Sequence, residues 1–392
     1  MAISIALVVL LGLLSDYLFR KLRLPGLLGM LLVGVLIGPY VLGLMRPELM
    51  KVSADLRMVA LIVILLRAGL ELKRETINKV GKTAIVMSFL PALFEGTAIT
   101  LAAPKLLGMS YLEAAILGSI VGAVSPAVVV PLMVDFIRKK KGTKKGIPTL
   151  ILGASSLDDV FVIVVFTILL GMHSGSYGNI YLKLLDIPEA VLIGAAVGAL
   201  TGYVLYRLFE RFHLRATKMT IVVLACSILL TWLEEELKAK VEMSALIGVM
   251  TVGAILLEKT EHRAHKISEK LGKVWIFAEI LLFVLVGAQV NVHVALDAGA
   301  AGAALIFIGL VARSVGTYLS VLGAGLNSKE KLFCVISYIP KATVQAAIGA
   351  VPLEAGVGSG EVILAVSVLS ILITAPLGAI GIMVSGKRWL ED

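Results

Sequence analysis

Residues 146–166 read GIPTLILGASSLDDVFVIVVF, an apolar run with two adjacent carboxylates, Asp158 and Asp159, near its centre. The run has about the 20 residues that a helix needs to cross the hydrocarbon core of a bilayer. Ionisable groups at that depth are costly unless they are paired or hydrated, so they indicate a functional site by default. The stretch therefore predicts a transmembrane helix that carries an ion-handling site.

The composition of the whole chain is that of a membrane protein. Of its 392 residues, 59% are hydrophobic and 16% are charged, and the mean hydropathy is +0.99. That leaves too little polar surface for a water-soluble domain. We predict an all-α polytopic membrane protein with about 13 transmembrane helices, over runs 2–19, 25–44, 54–72, 83–104, 112–135, 148–171, 187–209, 217–234, 243–258, 274–291, 295–322, 332–352 and 360–384.

The basic residues predict how these runs are oriented. The odd-numbered loops between runs, together with the C-terminal tail, hold most of the 36 Lys and Arg residues. Because basic residues concentrate in cytoplasmic loops, we expect the N-terminus outside and the C-terminus in the cytoplasm. The same rule accounts for the net charge of +9, so the charge does not indicate nucleic-acid binding.

Two runs contain proline near a polar residue at membrane depth. The fifth reads GAVSPAVVVPLM at 122–133, and the twelfth reads SYIPKATVQAAIGAVPL at 337–353. Proline removes a backbone donor, so both helices are predicted to be discontinuous. The runs hold matching positions in two sets of six, 1–6 and 8–13, which we interpret as inverted repeats joined by run 7. Paired broken helices in such repeats indicate the central site of a transporter.

The carboxylates of run 6 are the predicted ion carriers. Adjacent helical residues point about 100° apart, and two carboxylates this close do not both ionise cheaply. We expect Asp158 and Asp159 to hold a proton or to offer oxygen ligands to Na⁺ or Li⁺. Ser155, Ser125 and the carbonyls around Pro126 are candidates to complete the ion's coordination.

Other charged side chains also lie at membrane depth. Glu95 in run 4 and Arg313 in run 11 occupy equivalent positions of the two repeats, and we predict an ion pair between them with a structural role. Lys341 lies beside the break in run 12, where its charge would act on the ends of the half-helices. The sequence indicates no partner for Lys341.

Several stretches carry a family resemblance: LLRAGLELK at 65–73, GAVSPAVVVPLM at 122–133, GIPTLILGASSLDD at 146–159, PKATVQAAIG at 340–349 and LSILITAPLGAIGI at 369–382. On these the chain resembles the monovalent cation/proton antiporter superfamily, and in particular its NHA-type sodium/proton exchanger branch. The resemblance implies an NhaA-like antiporter fold in which discontinuous helices 5 and 12 cross. It also implies a homodimer with scaffold helices in 1–72 and 187–291 and core ion-transport helices in 83–171 and 295–384.

The resemblance further implies roles for single residues. Asp158 and Asp159 match the ion-binding carboxylates, of which the second is the more consistently essential. Glu95 and Arg313 match the intramembrane pair of the NHA branch. Arg313 stands where many electrogenic relatives have lysine, and since arginine does not titrate in the working range, protons are expected to travel on the aspartates, one per Na⁺.

We therefore expect an elevator-like Na⁺/H⁺ or Li⁺/H⁺ antiporter that needs no cofactor and has no enzymatic activity. A K⁺/H⁺ antiporter, a bile-acid-type Na⁺ symporter on the same fold and a cation channel remain open as alternatives. An intramembrane aspartyl protease is disfavoured, because its two aspartates face each other from different helices.

Overall fold

The computed structural model describes residues 1–22, 24–71, 74–173, 180–212, 214–237 and 243–391, and in these ranges the regular structure is helical. The helices are α1 Ala2–Lys21, α2 Gly26–Ile37, α3 Pro47–Lys51, α4 Ser53–Glu71, α5 Arg74–Leu107, α6 Tyr111–Val121, α7 Pro126–Arg138, α8 Ile147–His173, α9 Ile180–Arg211, α10 Ala216–Leu237, α11 Ala245–Lys259, α12 Glu261–Gln289, α13 Val292–Asp297, α14 Gly299–Ser320, α15 Ser328–Ser337, α16 Thr343–Ile348, α17 Val351–Glu354 and α18 Gly360–Trp389.

Eight segments of the described chain are long and apolar enough to cross a membrane. They are Ala2–Lys21, Gly81–Leu107, Ile147–His173, Leu192–Arg211, Ala216–Leu237, Glu261–Gln289, Gly299–Ser320 and Gly360–Trp389. The chain is thus an integral multi-pass membrane protein. Several other predicted runs correspond to shorter apolar helices, so the total of thirteen spans and the inverted repeats stay predictions.

The chain forms two compact units. The first comprises Met1–Ser53, Asn78–Ser174 and Leu282–Asp392, and the second comprises Ala54–Ile77 and Gly175–Leu281. Predicted span ends and loop residues at 23, 72, 73, 174–179, 213, 238–242 and 392 lie outside the described residues.

Small residues bring helices of the second unit close together. α9 packs along α11, where Gly194 approaches the backbone of Ser244 and Gly198 approaches that of Gly248. A side chain on Gly198 would overlap the Gly248 carbonyl. Close approach at glycines is how membrane helices gain packing contacts without a hydrophobic driving force.

The first unit contains two helix breaks, at the positions where the sequence places Ser-Pro and Pro-Lys. α6 ends at Val121 and α7 begins at Pro126, whose missing N–H is not needed in the first turn of a helix. α15 ends at Ser337 and α16 begins at Thr343. The breaks meet, because the Ser125 amide donates to the Pro340 carbonyl at 2.8 Å.

Glycines make room for neighbouring helices around the breaks. In α18, Gly378 lies against the ring of Pro340, and a side chain there would occupy the ring's space. α5 and α6 approach at Gly96 and Gly118, where a Cβ on Gly118 would lie 2.7 Å from the Gly96 carbonyl oxygen. α5 itself is kinked at Gly81, whose φ of 64° lies in the left-handed region that favours glycine.

Candidate ion-binding site

Four charged side chains from four segments are buried together at the helix breaks. Glu95 comes from α5, Asp158 from α8, Arg313 from α14 and Lys341 from the segment between α15 and α16. The exposed fraction of each is 1% or less. Charges buried to this degree are tolerated only when they are paired and hydrogen-bonded, so the contacts among the four decide what each can do.

Glu95 lies between the two cations. Arg313 Nη1 is 2.9 Å from Glu95 Oε2, so the two residues predicted to pair are in contact. Lys341 Nζ lies 2.8 Å from each carboxylate oxygen of Glu95. The partner that the sequence does not indicate for Lys341 is therefore the same carboxylate, reached across 246 positions of sequence.

The cations also bind carbonyl groups at the broken helix ends. Arg313 Nε donates to the Tyr338 carbonyl at 2.5 Å, and Nη1 donates to the Gly122 carbonyl. Lys341 Nζ donates to the Val121 carbonyl at 2.5 Å. The last carbonyls of a helix lack partners within the helix and carry partial negative charge. The two side chains thus satisfy and neutralise the ends of α6 and α15.

The two aspartates of α8 have different surroundings. Asp158 is fully buried, with Oδ1 3.4 Å from Arg313 Nη2, and Oδ2 accepts from the Val124 amide at 2.7 Å. Asp159 is 9% exposed, and its buried Oδ1 has no hydrogen-bond partner among the described residues. Buried carboxylate oxygens are nearly always hydrogen-bonded, so an oxygen with no protein partner is available to accept from a proton donor or to bind a cation. One carboxylate is committed to the protein, and its neighbour is not.

The polar groups suggested as further ion ligands lie in the first break and on α8. The Ser125 hydroxyl is buried, 3.4 Å from the Thr343 hydroxyl on the opposite break. Ser155, also buried, donates to the Leu152 carbonyl of its own helix at 3.1 Å, which leaves its lone pairs free to accept. Pro126 is the first residue of α7.

Comparison with known proteins identifies the family. A family model described as "Sodium/hydrogen exchanger, transmembrane" matches residues 4–384. The chain belongs to the sodium/hydrogen exchanger family. Human sodium/hydrogen exchanger 9B2 is 34% identical over 383 residues, which cover 94% of this chain and 70% of that protein. Human sodium/hydrogen exchanger 9B1 is 31% identical over 385 residues, covering 94% and 73%.

A solved structure matches this exchanger-family chain along its length. It is the sodium proton antiporter MjNhaP1 from Methanocaldococcus jannaschii, with a TM-score of 0.80 and 20% sequence identity, covering 98% of this chain and 95% of that one. At that identity the likeness establishes the fold alone. The resemblance recognised from the sequence motifs is confirmed, as is the helical membrane fold.

The sequence did not single out two uncharged side chains, Gln345 and Thr374, that form hydrogen bonds at the helix breaks. Gln345 Nε2 donates to the carbonyls of Ile120 at 2.9 Å and Ala123 at 3.0 Å. The Thr374 hydroxyl of α18 accepts from the Lys341 amide at 3.0 Å. The sequence does place Gln345 among the apolar residues VQAAIG. A polar amide at membrane depth needs partners, so this glutamine could have been predicted to form hydrogen bonds.

Proposed function

We propose that this chain is a secondary active antiporter that exchanges Na⁺ or Li⁺ for H⁺, and that Asp159 carries either ion. The observation that supports this most directly is the buried Oδ1 of Asp159, which has no partner among the described residues and lies beside a carboxylate whose two oxygens are both occupied. Family membership supports cation/proton exchange as the activity. Asp158 orients the site and lies close enough to share a bound cation.

The charges of the site support a coupling of one proton to one cation. Glu95 and Asp158 are two negative groups, and Arg313 and Lys341 are two positive groups in contact with them. Asp159 then adds one negative charge, which either a bound proton or a bound Na⁺ cancels. Both loaded forms have the same charge, so the exchange is electroneutral.

The empty site is the form that must not move. With neither ion bound, Asp159 adds an uncompensated negative charge to a buried cluster. A charge at the bilayer centre costs several kcal/mol, on the order of 3 on insertion scales and more in simulations. That cost suppresses movement of the empty carrier, and it makes exchange obligatory because each conformational change needs a bound ion.

The bound cation is proposed to lie in an all-oxygen site. Alkali cations are hard ions, and carboxylate, hydroxyl and carbonyl oxygens suit hard ions. Asp159 supplies the principal ligand, Asp158 a second carboxylate, and Ser155, Ser125 and the carbonyls around Pro126 complete the shell. These groups belong to α8 and to the first break, so a change in the break would change the ion's coordination.

The family resemblance supports an elevator-like cycle in a homodimer. In that cycle the core helices in 83–171 and 295–384 move against scaffold helices in 1–72 and 187–291. The distribution of basic residues supports an external N-terminus and a cytoplasmic C-terminus. Each half-cycle then presents Asp159 to one side of the membrane, where Na⁺ and H⁺ compete for it.

The test uses proteoliposomes that contain a pH-sensitive dye and have an acidic interior. NaCl, LiCl or KCl is added outside, with wild type, Asp159→Asn and the exposed control Asp297→Asn compared at equal protein content. We expect Na⁺ and Li⁺ to raise the internal pH with wild type and the control and not with Asp159→Asn. A response to K⁺ alone would change the substrate. Cation uptake that is not accompanied by proton efflux would indicate a channel, and an active Asp159→Asn variant would refute the assigned carrier.

Electroneutrality has its own measurement in the same vesicles. Valinomycin with K⁺ on both sides clamps the membrane potential, and the initial rate of Na⁺-driven alkalinisation is compared with and without the clamp. A one-to-one exchange is unaffected by the clamp. A rate that changes several-fold when the potential is clamped would contradict the charge balance derived from the four paired groups and Asp159.

A further inference from the structure

An apolar groove of about 510 Å³ runs along the outer surface of α14 and α15. It is lined by side chains that repeat at helical spacing, among them Phe307, Val311, Tyr318, Leu332, Val335 and Ile339. The lining includes Ser314, whose hydroxyl donates to the Leu310 carbonyl of its own helix at 2.7 Å. The groove therefore presents a largely apolar surface.

The length of the groove along the helices is close to the thickness of one bilayer leaflet. Its lining on α14 extends from Phe307 to Leu319, which is about 18 Å of helix at the α-helical rise. Half of the hydrocarbon core is about 15 Å thick. A single acyl chain lying along the helices matches this length, whereas a transmembrane helix of a partner would extend well beyond it.

Basic side chains stand at one end of the groove. Lys331 Nζ lies 5.9 Å from the centre of the Tyr318 ring, and Lys329 is exposed two residues earlier. In the described part of the chain neither lysine has a carboxylate within ion-pair distance. The nearby carboxylate of Glu330 is already bound by Lys145 at 2.8 Å. The apolar groove thus ends at two positive charges that form no ion pair with the described residues.

The inner wall of the groove is formed by the segments that hold the ion site. Ile339 lines the groove between Tyr338 and Pro340, whose carbonyls accept from Arg313 and from the Ser125 amide. A molecule in the groove would pack α14 against the last turn of α15. It would thereby hold the second break in the arrangement that supports the four buried charges.

We propose that this groove binds one acyl chain of an anionic phospholipid, with the lipid phosphate at Lys331 and Lys329. Anionic headgroups attract basic residues at the membrane surface, and the acyl chain supplies the apolar contact. The binding does not depend on the exchange activity. Its consequence, that the bound lipid accelerates exchange by stabilising the second break, rests on the proposed function.

Binding is tested by thermal unfolding of the purified full chain in detergent, with added phosphatidylglycerol or phosphatidylcholine of the same acyl chains. We expect phosphatidylglycerol to raise the Tm by several degrees more than phosphatidylcholine. The double variant Lys329→Gln/Lys331→Gln removes the charges, and Val311→Trp fills the groove at a half-exposed position. In both variants, phosphatidylglycerol and phosphatidylcholine should raise the Tm by the same amount.

Matched controls separate the groove from the general membrane surface. Lys21→Gln removes an exposed lysine at the end of α1, and Leu192→Trp adds the same bulk to an exposed position on α9. Both should keep the wild-type lipid response. Equal shifts with the two lipids, or an undiminished response in the double lysine variant, would overturn the proposal. Loss of dimers on Val311→Trp without any headgroup-specific shift would assign the groove to a second copy of the chain and overturn it too.

The consequence for exchange is measured in vesicles of phosphatidylcholine alone and of phosphatidylcholine with phosphatidylglycerol. We expect a several-fold faster Na⁺-driven pH change with the anionic lipid, lost in the double lysine variant and kept in Lys21→Gln. A lipid-specific Tm shift with unchanged exchange would leave the binding site and overturn its effect on transport. A shift with no exchange in any vesicle would count against the proposed function and leave the lipid site standing.

Discussion

Replacing Asp158 and Asp159 one at a time with asparagine is expected to damage the protein in two different ways. The two side chains are adjacent on α8, and the substitutions are chemically identical. The contacts differ, because Asp158 binds Arg313 and the Val124 amide and Asp159 Oδ1 binds no described group. Asp158→Asn should chiefly lower stability, whereas Asp159→Asn should abolish exchange in a protein that remains folded.

The magnitude follows from what each substitution leaves behind. Without the Asp158 charge, Arg313 and Lys341 share Glu95 as their one negative partner in the cluster. Removing one member of a buried ion pair costs about 3–5 kcal/mol, because the remaining charge is uncompensated. Asp159→Asn breaks no described hydrogen bond of Oδ1, so a change of about 1 kcal/mol or less is expected in the free energy of unfolding.

Thermal unfolding of the purified variants and exchange in proteoliposomes are measured side by side, with Asp297→Asn as the exposed control. Asp158→Asn should unfold several degrees below wild type, and Asp159→Asn within a degree or two of it. The reasoning would be refuted by an Asp159→Asn protein as unstable as Asp158→Asn. It would equally fail if Asp158→Asn kept wild-type stability, since the contact with Arg313 would then contribute nothing.

Other predictions concern the supports of the site. Gln345→Met should lower the free energy of unfolding by about 1–3 kcal/mol and slow exchange, because it leaves buried carbonyls at the end of α6 unpaired. Thermal unfolding measures the first effect and the vesicle assay measures the second. Gly118→Ala should destabilise the contact between α5 and α6. Gly96→Ala should be tolerated, because a Cβ there lies 3.5 Å from the Gly118 carbonyl oxygen. Thermal unfolding of both variants tests this difference. Thr374→Val should weaken the second break by removing the acceptor of the Lys341 amide, with Thr374→Ser restoring exchange. The apparent KM for Na⁺ should rise as pH falls, because both ions compete for one carboxylate, and a KM unchanged across pH would contradict competition.

The main features of the fold were predictable because they depend on local chemistry. Proline lacks the backbone N–H that the interior of a helix uses and is well suited to its first turn. Accordingly, α7 begins at Pro126 and the second break contains Pro340. Long apolar runs such as α8 and α18 were recognisable from length and composition. The sequence did not reveal where a helix ends inside a longer apolar run, such as α2, which ends at Ile37 although the hydropathy continues past it.

The residues of the site were predictable from the sequence, but the contacts among them were not. Depth in the membrane singled out Glu95, Asp158, Arg313 and Lys341, because each is costly without a partner. Which groups would pair depends on how two breaks more than 200 residues apart cross, and no local pattern encodes that distance. Lys341 reaches Glu95 only because the Pro340 carbonyl meets the first break. The difference between the two aspartates likewise comes from the side of α8 that faces Arg313.

The crossing also explains why cationic side chains lie at the broken ends. The carbonyls at the end of α6 point into a buried region, where unsatisfied backbone groups and the helix dipole would repel a carboxylate. Arg313 and Lys341 bind those carbonyls and the carboxylates together, so the same two charges hold the breaks and fix the potential at Asp159. Since arginine stays charged throughout the working range, the contribution of Arg313 to that potential does not change with pH. In the proposed exchange, the proton and the cation bind in turn to the neighbouring carboxylate of Asp159, beside an Arg313 charge that is the same for both ions.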